Sequence, residues 1–182
     1  MTFREIRDHK FKLLFMYYTM KTDIDQLLLN YFSNFPYEDD DDDNDYTKNS
    51  SKYHKNVAKV NVNEETSEDG NVSDAAVIVI LTEDDNIRDI KNKVKEVIEK
   101  TEEIDKLITE NLETWDINRV AKAEITIIRL AIYEMYYDAS IDIPVAINEA
   151  VKLAGTYGGE SSSAAFINGI LGKLERNRTV NE

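Results

Sequence analysis

Apolar residues recur at helical spacing along most of this chain. Phe3, Ile6, Leu13, Leu14, Phe15, Tyr17 and Tyr18 mark a long first helix, and Ile24, Leu27, Leu28, Tyr31 and Phe32 a second. Further on, Thr82 and Asp85 stand at the spacing of a capping box, with Asp in place of the usual Glu or Gln. Behind them Ile87, Ile90, Val94, Val97, Ile98, Thr101, Ile104 and Ile108 form a seam that continues to Leu112 and Trp115. Residues 121–137 are apolar on nearly every side, with Ile125, Ile127, Ile128, Leu130, Ile132, Tyr133 and Met135, so this helix is expected at the centre of the molecule. Residues 75–81 have the composition of a strand, but no partner strand is visible, and a helix or a packed connector is expected. The fold class is all-α.

The last third, residues 143–174, holds two more helices. Pro144 presets φ for a first turn, and Ile147, Ala150, Val151 and Ala154 repeat at helical spacing until Gly155, Gly158 and Gly159 end the pattern. Ser161, Ser162 and Ser163 offer N-cap hydroxyls to the next helix, whose stripe is Phe166, Ile167, Ile170, Leu171 and Leu174. Inside it sit Asn168, Gly169 and Gly172, and each glycine costs roughly 1 kcal/mol relative to alanine in a helix interior. Two accounts offset that cost: a neighbouring backbone approaching too closely for a side chain, or a polar group held beside a ligand. A glycine turn feeding a serine-capped helix is also a place where backbone N–H groups can meet a phosphate.

Charge changes the picture between residues 36 and 74. The chain carries a net −14 over 182 residues, and this segment alone holds twelve acids against four lysines, including Asp39 to Asp43 in succession. It lacks periodicity and apolar content, and reads as a disordered acidic insertion within a single helical domain spanning 1–182. The first twelve residues run the other way, with Arg4, Arg7, Lys10 and Lys12 against Glu5 and Asp8. The absence of cysteine excludes disulfides, thiolate metal sites and a cysteine nucleophile. No apolar run reaches the roughly 20 residues that cross a bilayer and the N-terminus lacks a signal-peptide core, so a cytoplasmic location without membrane contact is expected.

Catalytic chemistry is nearly absent from the sequence. His9, on an expected surface helix, and His54, in the insertion, are the only histidines, so no histidine-centred triad or zinc site can be assembled. Glu124, Glu134 and Glu149 sit in apolar helices, either as structural ion pairs with Arg119 or Arg129 or as binding groups. Neither an enzymatic role nor a cofactor is expected.

The strings REIR (4–7), EEIDKLI (102–108), ETWDINRVAKAEITIIRLAIYEM (113–135), IPVAINEAVKLAGTYG (143–158) and FINGILGKL (166–174), in that order, resemble the NusB family of bacterial transcription antitermination factors. The related N-terminal domain of rRNA cytosine methyltransferases shares that fold; no methyltransferase domain follows here, and the stand-alone factor is expected. The resemblance implies a bundle of about seven helices that binds RNA without enzymatic activity. It implies pairing with NusE, a ribosomal small-subunit protein, joint recognition of boxA RNA, and loading onto RNA polymerase with other Nus factors to suppress premature termination, notably in rRNA operons. By position it assigns Arg4, Arg7, Tyr157, Phe166 and Asn168 to the RNA surface and Glu124 to the NusE-like partner. The basic N-terminus is thinner here than the family's usual cluster, and the acidic insertion departs from the family pattern.

Overall fold

The computed structural model describes residues 1–33, 84–111 and 116–181. The acidic stretch 36–74, the run 75–81, Thr82, Leu112 and Trp115 lie outside the described residues. Within them the chain forms seven α-helices and no strand: α1 (Phe3–Met20), α2 (Ile24–Ser33), α3 (Asp85–Glu99), α4 (Thr101–Asn111), α5 (Lys122–Tyr136), α6 (Ile143–Tyr157) and α7 (Ser163–Asn181), with one 3₁₀ turn at Ile117–Arg119 before α5. No described helix is long and apolar enough to cross a membrane.

Local chemistry sets the helix ends. Thr2 caps α1 in a reciprocal box: its hydroxyl accepts from the Glu5 N–H at 3.3 Å, and the Glu5 carboxylate accepts from the Thr2 N–H at 2.6 Å. Lys21 ends α1 in the left-handed region with φ 53°, turning the chain directly into α2. At α3 the cap is Asp84 rather than the expected Thr82, because its carboxylate reaches the N–H groups of Asn86 and Ile87. Pro144 lies in the first turn of α6, as its spacing implied.

The central position expected for α5 holds. It packs against α1, α3, α4, α6 and α7, and ten of its residues between Ile125 and Met135 are buried. The seam Ile87, Ile90, Val94 and Val97 of α3 is buried, as are Ile104 and Ile108 of α4 and Ile167, Ile170, Leu171 and Leu174 of α7. Helix α6 buries a row of alanines, Ala146, Ala150 and Ala154, while Ile147 and Val151 are only partly covered. Small side chains on that face let α5 and α7, both packed on α6, come close.

Two readings of α1 are corrected. His9 is not on the surface: it is 7% exposed, with Nδ1 2.8 Å from the Tyr31 hydroxyl of α2. Burial, then the nearby Lys12 cation, pushes its imidazole below the usual histidine range. Phe3, counted with the apolar face by periodicity, is 89% exposed. Its neighbours Met1 and Ile6 are the residues that turn onto the core.

Candidate nucleic-acid interface

Four helix segments meet along one edge of the bundle, linked by a continuous chain of contacts. The Tyr157 hydroxyl, at the end of α6, donates to the Asp8 carboxylate of α1 at 2.5 Å, and its ring lies against Phe11 with centroids 4.6 Å apart. Lys12 pairs with the same carboxylate at 2.7 Å. Burial alone would raise the Asp8 carboxyl, but Lys12 and the tyrosine hydroxyl outweigh it and hold it below the usual aspartate range. Burial and the bond to Asp8 push the Tyr157 phenol up.

The next residue, Gly158, closes the turn into α7. A Cβ there would stand 2.4 Å from the Ala154 carbonyl oxygen and 2.5 Å from the Ser163 Cβ, so only glycine fits. Ser163 is itself buried, and its hydroxyl donates at 2.6 Å to Glu124 in the first turn of α5. The edge thus runs from Asp8 through Tyr157, Gly158 and Ser163 to Glu124. Arg119 and Lys122, just ahead of Glu124, are exposed and carry no ion pair among the described residues. Sequence reasoning passed over them as site residues, since two ordinary surface cations gave no pattern.

The buried acids found other partners than expected. Glu134 is held by Arg7, whose Nε lies 3.0 and 3.1 Å from its two carboxylate oxygens. The Arg7 Nη1 is also 3.6 Å from Glu149 of α6, which Lys152 contacts at 2.7 Å. Burial pushes the Glu134 carboxyl up, against the pull of Arg7. Arg129 pairs with Asp105 of α4 through two bonds of 2.7 and 2.8 Å and stacks on the Tyr18 ring at 4.4 Å. Lys10, 7% exposed, reaches Asp89 of α3 at 3.0 Å.

Of the expected RNA contacts, Arg4 is exposed, with no ion pair among the described residues. Arg7 is not so placed: its side chain is 9% exposed, its Nε is committed to Glu134 and its Nη1 lies beside Glu149, so it holds α1 onto α5 and α6 rather than presenting charge to solvent. Tyr157 and Phe166 are half-buried, and Asn168 is exposed on α7. Gly169 does not answer to close helix approach, since a Cβ there would meet nothing within 4 Å. Nor does the start of α7 suit a phosphate. The Ser163 N–H is taken by the Glu160 carbonyl, and Ser162 donates its hydroxyl to the Glu160 carboxylate, a like charge where the anion would sit.

These residues define an all-helical bundle whose buried polar groups serve packing, and no cluster of three metal-ligating side chains occurs among the described residues. The NusB family model matches residues 35–176, and the chain belongs to the NusB family. A transcription antitermination protein NusB of Carboxydothermus hydrogenoformans is 54% identical over 79 residues, 43% of this chain and 54% of that protein. The namesake of Clostridium botulinum strain Kyoto is 46% identical over 85 residues, 47% of this chain and 59% of its own length. The chain thus spans little more than half the length of these relatives. Among solved structures, T. maritima NusB superposes with a TM-score of 0.64 at 24% identity, covering 97% of this chain and 92% of that one. A chain from the crystal structure of a plectonemic RNA supercoil gives 0.66 at 16% identity, covering 98% and 97%. Both likenesses show the shared fold.

Proposed function

We propose that this chain is an antitermination factor that acts by binding rather than catalysis. With a NusE-like ribosomal protein it takes boxA-type single-stranded RNA in the cytoplasm, joins the RNA polymerase elongation complex through other Nus factors, and suppresses premature termination, notably in rRNA operons. The observation that carries this reading, beside the family, is the edge that locks the Tyr157 turn to α1 and the start of α7 to α5. On this reading Arg4, Tyr157, Phe166 and Asn168 face RNA, Arg7 is the strut that positions α1, and Glu124 with its exposed neighbours meets the protein partner. Aromatic faces and an exposed guanidinium are the two kinds of contact that hold single-stranded RNA.

A second reading, a protein-interaction bundle without RNA binding, is favoured by one observation: Arg7 and Lys10, which give the N-terminus its positive balance in sequence, are buried in ion pairs. Titrating labelled boxA-type RNA with the chain, the NusE-like protein and their mixture at several salt concentrations separates the two. The mixture should bind more tightly than either protein alone, with affinity falling as salt rises. Association of the two proteins without any RNA binding would leave the second reading standing.

A further inference from the structure

We propose that Phe3 is a nucleobase-stacking residue and Arg4 its phosphate contact, so that the first turn of α1 holds one nucleotide of single-stranded RNA. This rests on the RNA-binding reading above and names a residue that reading does not include.

A single exposed apolar side chain is ordinary on a protein surface. Three observations set this one apart. At 89% exposure, Phe3 is the most exposed large apolar residue among those described, with no ring contact, while Met1 and Ile6 on either side turn onto the core. It is also held rather than frayed, because the Thr2–Glu5 capping box fixes the first turn, and Arg7 one turn further on is anchored to Glu134. Phe3 and Arg7 share a helix face at i and i+4, so the buried strut fixes where the ring projects. The third is Arg4, the next residue in sequence, exposed and without an ion pair among the described residues.

The acids nearby are already engaged. The Glu5 carboxylate is turned back onto the Thr2 N–H, a bond that holds it below the usual glutamate range, and Asp8 is satisfied by Lys12 and Tyr157. A phosphate at Arg4 therefore meets a cation whose charge is not cancelled by a direct partner. An apolar protein partner suits the turn less well, since Thr2, Arg4 and Glu5 are all exposed around the ring and offer no contiguous apolar patch. A base needs only one π-face with a cation at its phosphate.

The test measures binding of labelled boxA-type RNA with the NusE-like partner present, for the wild type and for Phe3→Ala, Phe3→Leu, Phe3→Trp and Arg4→Ala. The ring makes no core contact, so all four variants should keep wild-type helicity and melting temperature. Phe3→Ala and Phe3→Leu should each lose roughly 5- to 100-fold in affinity with the salt slope unchanged, and Phe3→Trp should bind at least as well as wild type. Arg4→Ala should lower the slope of log K against log salt by about 0.7. Wild-type affinity in Phe3→Ala overturns the proposal and leaves the RNA-binding reading intact. Loss in Phe3→Ala but not in Phe3→Leu also overturns it, marking an apolar contact to the protein partner. A wild-type complex that binds no RNA overturns both, and is seen before any variant is made.

Discussion

Arg7 and Glu134 face each other inside the bundle, the arginine Nε shared between both carboxylate oxygens at 3.0 and 3.1 Å, with side chains 9% and 4% exposed. Removing one partner strands a buried charge, which costs about 3–5 kcal/mol, whereas replacing both by apolar residues of similar size is often neutral. Arg7→Ala and Glu134→Ala should each lower stability by about that amount in urea unfolding, and Arg7→Met with Glu134→Leu should restore most of it. The double variant should also bind RNA with the wild-type salt slope, since a phosphate contact by Arg7 would instead be lost with the charge.

Asp8 gives the bundle a specific acid sensitivity. Its carboxyl is held below the ordinary value of 3.8 in the folded chain, so the stability it contributes is complete above that value and is lost as pH falls through the lower folded one. The melting temperature of the wild type should therefore exceed that of Asp8→Asn at pH 6, and the gap should narrow steadily from about pH 4 downward. A gap that stays constant across this range would show that Asp8 acts through packing alone.

The glycines of the last two helices should part company. Alanine at Gly169 meets open space and removes a helix-interior glycine, so Gly169→Ala should stabilise by roughly 1 kcal/mol. Gly158→Ala drives a methyl into the Ala154 carbonyl and Ser163, and should destabilise while loosening the contact between Ser163 and Glu124. Paired thermal melts read both signs. If Gly169→Ala is more stable yet binds RNA more weakly, the glycine serves a ligand that approaches α7.

Glu124 has two duties that substitutions can separate. Its carboxylate accepts the Ser163 hydroxyl, and a glutamine can still accept that bond, so Glu124→Gln should fold with a melting temperature near wild type. Loss of the charge should weaken association with the NusE-like partner if Glu124 meets a cation there. Ser163→Ala removes the bond without touching the charge, and should cost about 1–3 kcal/mol of stability because the hydroxyl site is buried. Equal partner affinity for the wild type and Glu124→Gln, measured by titration calorimetry, would assign the residue to structure alone.

The local rules of the sequence were enough for most of the helices, though not for the break at Lys100 that divides one continuous seam into α3 and α4. Apolar spacing marks α5 as central because its stripe is nearly all round, and Pro144 and Gly158 bound α6, which runs through Gly155 to Tyr157, each acting through contacts within a few residues. The strings of the last two-thirds carried the family for the same reason: they are contiguous in the chain. What tertiary structure alone decided is which polar groups meet. Arg7 and Glu134 are 127 residues apart, and Asp8 and Tyr157 are 149 apart, so no local pattern could say that one arginine faces inward while Arg4 faces out. Periodicity likewise put Phe3 on the apolar face. The bundle leaves it uncovered although Met1 and Ile6 on either side reach the core, and that is set by where α1 packs on α3 and α5, a relation that no spacing along α1 encodes.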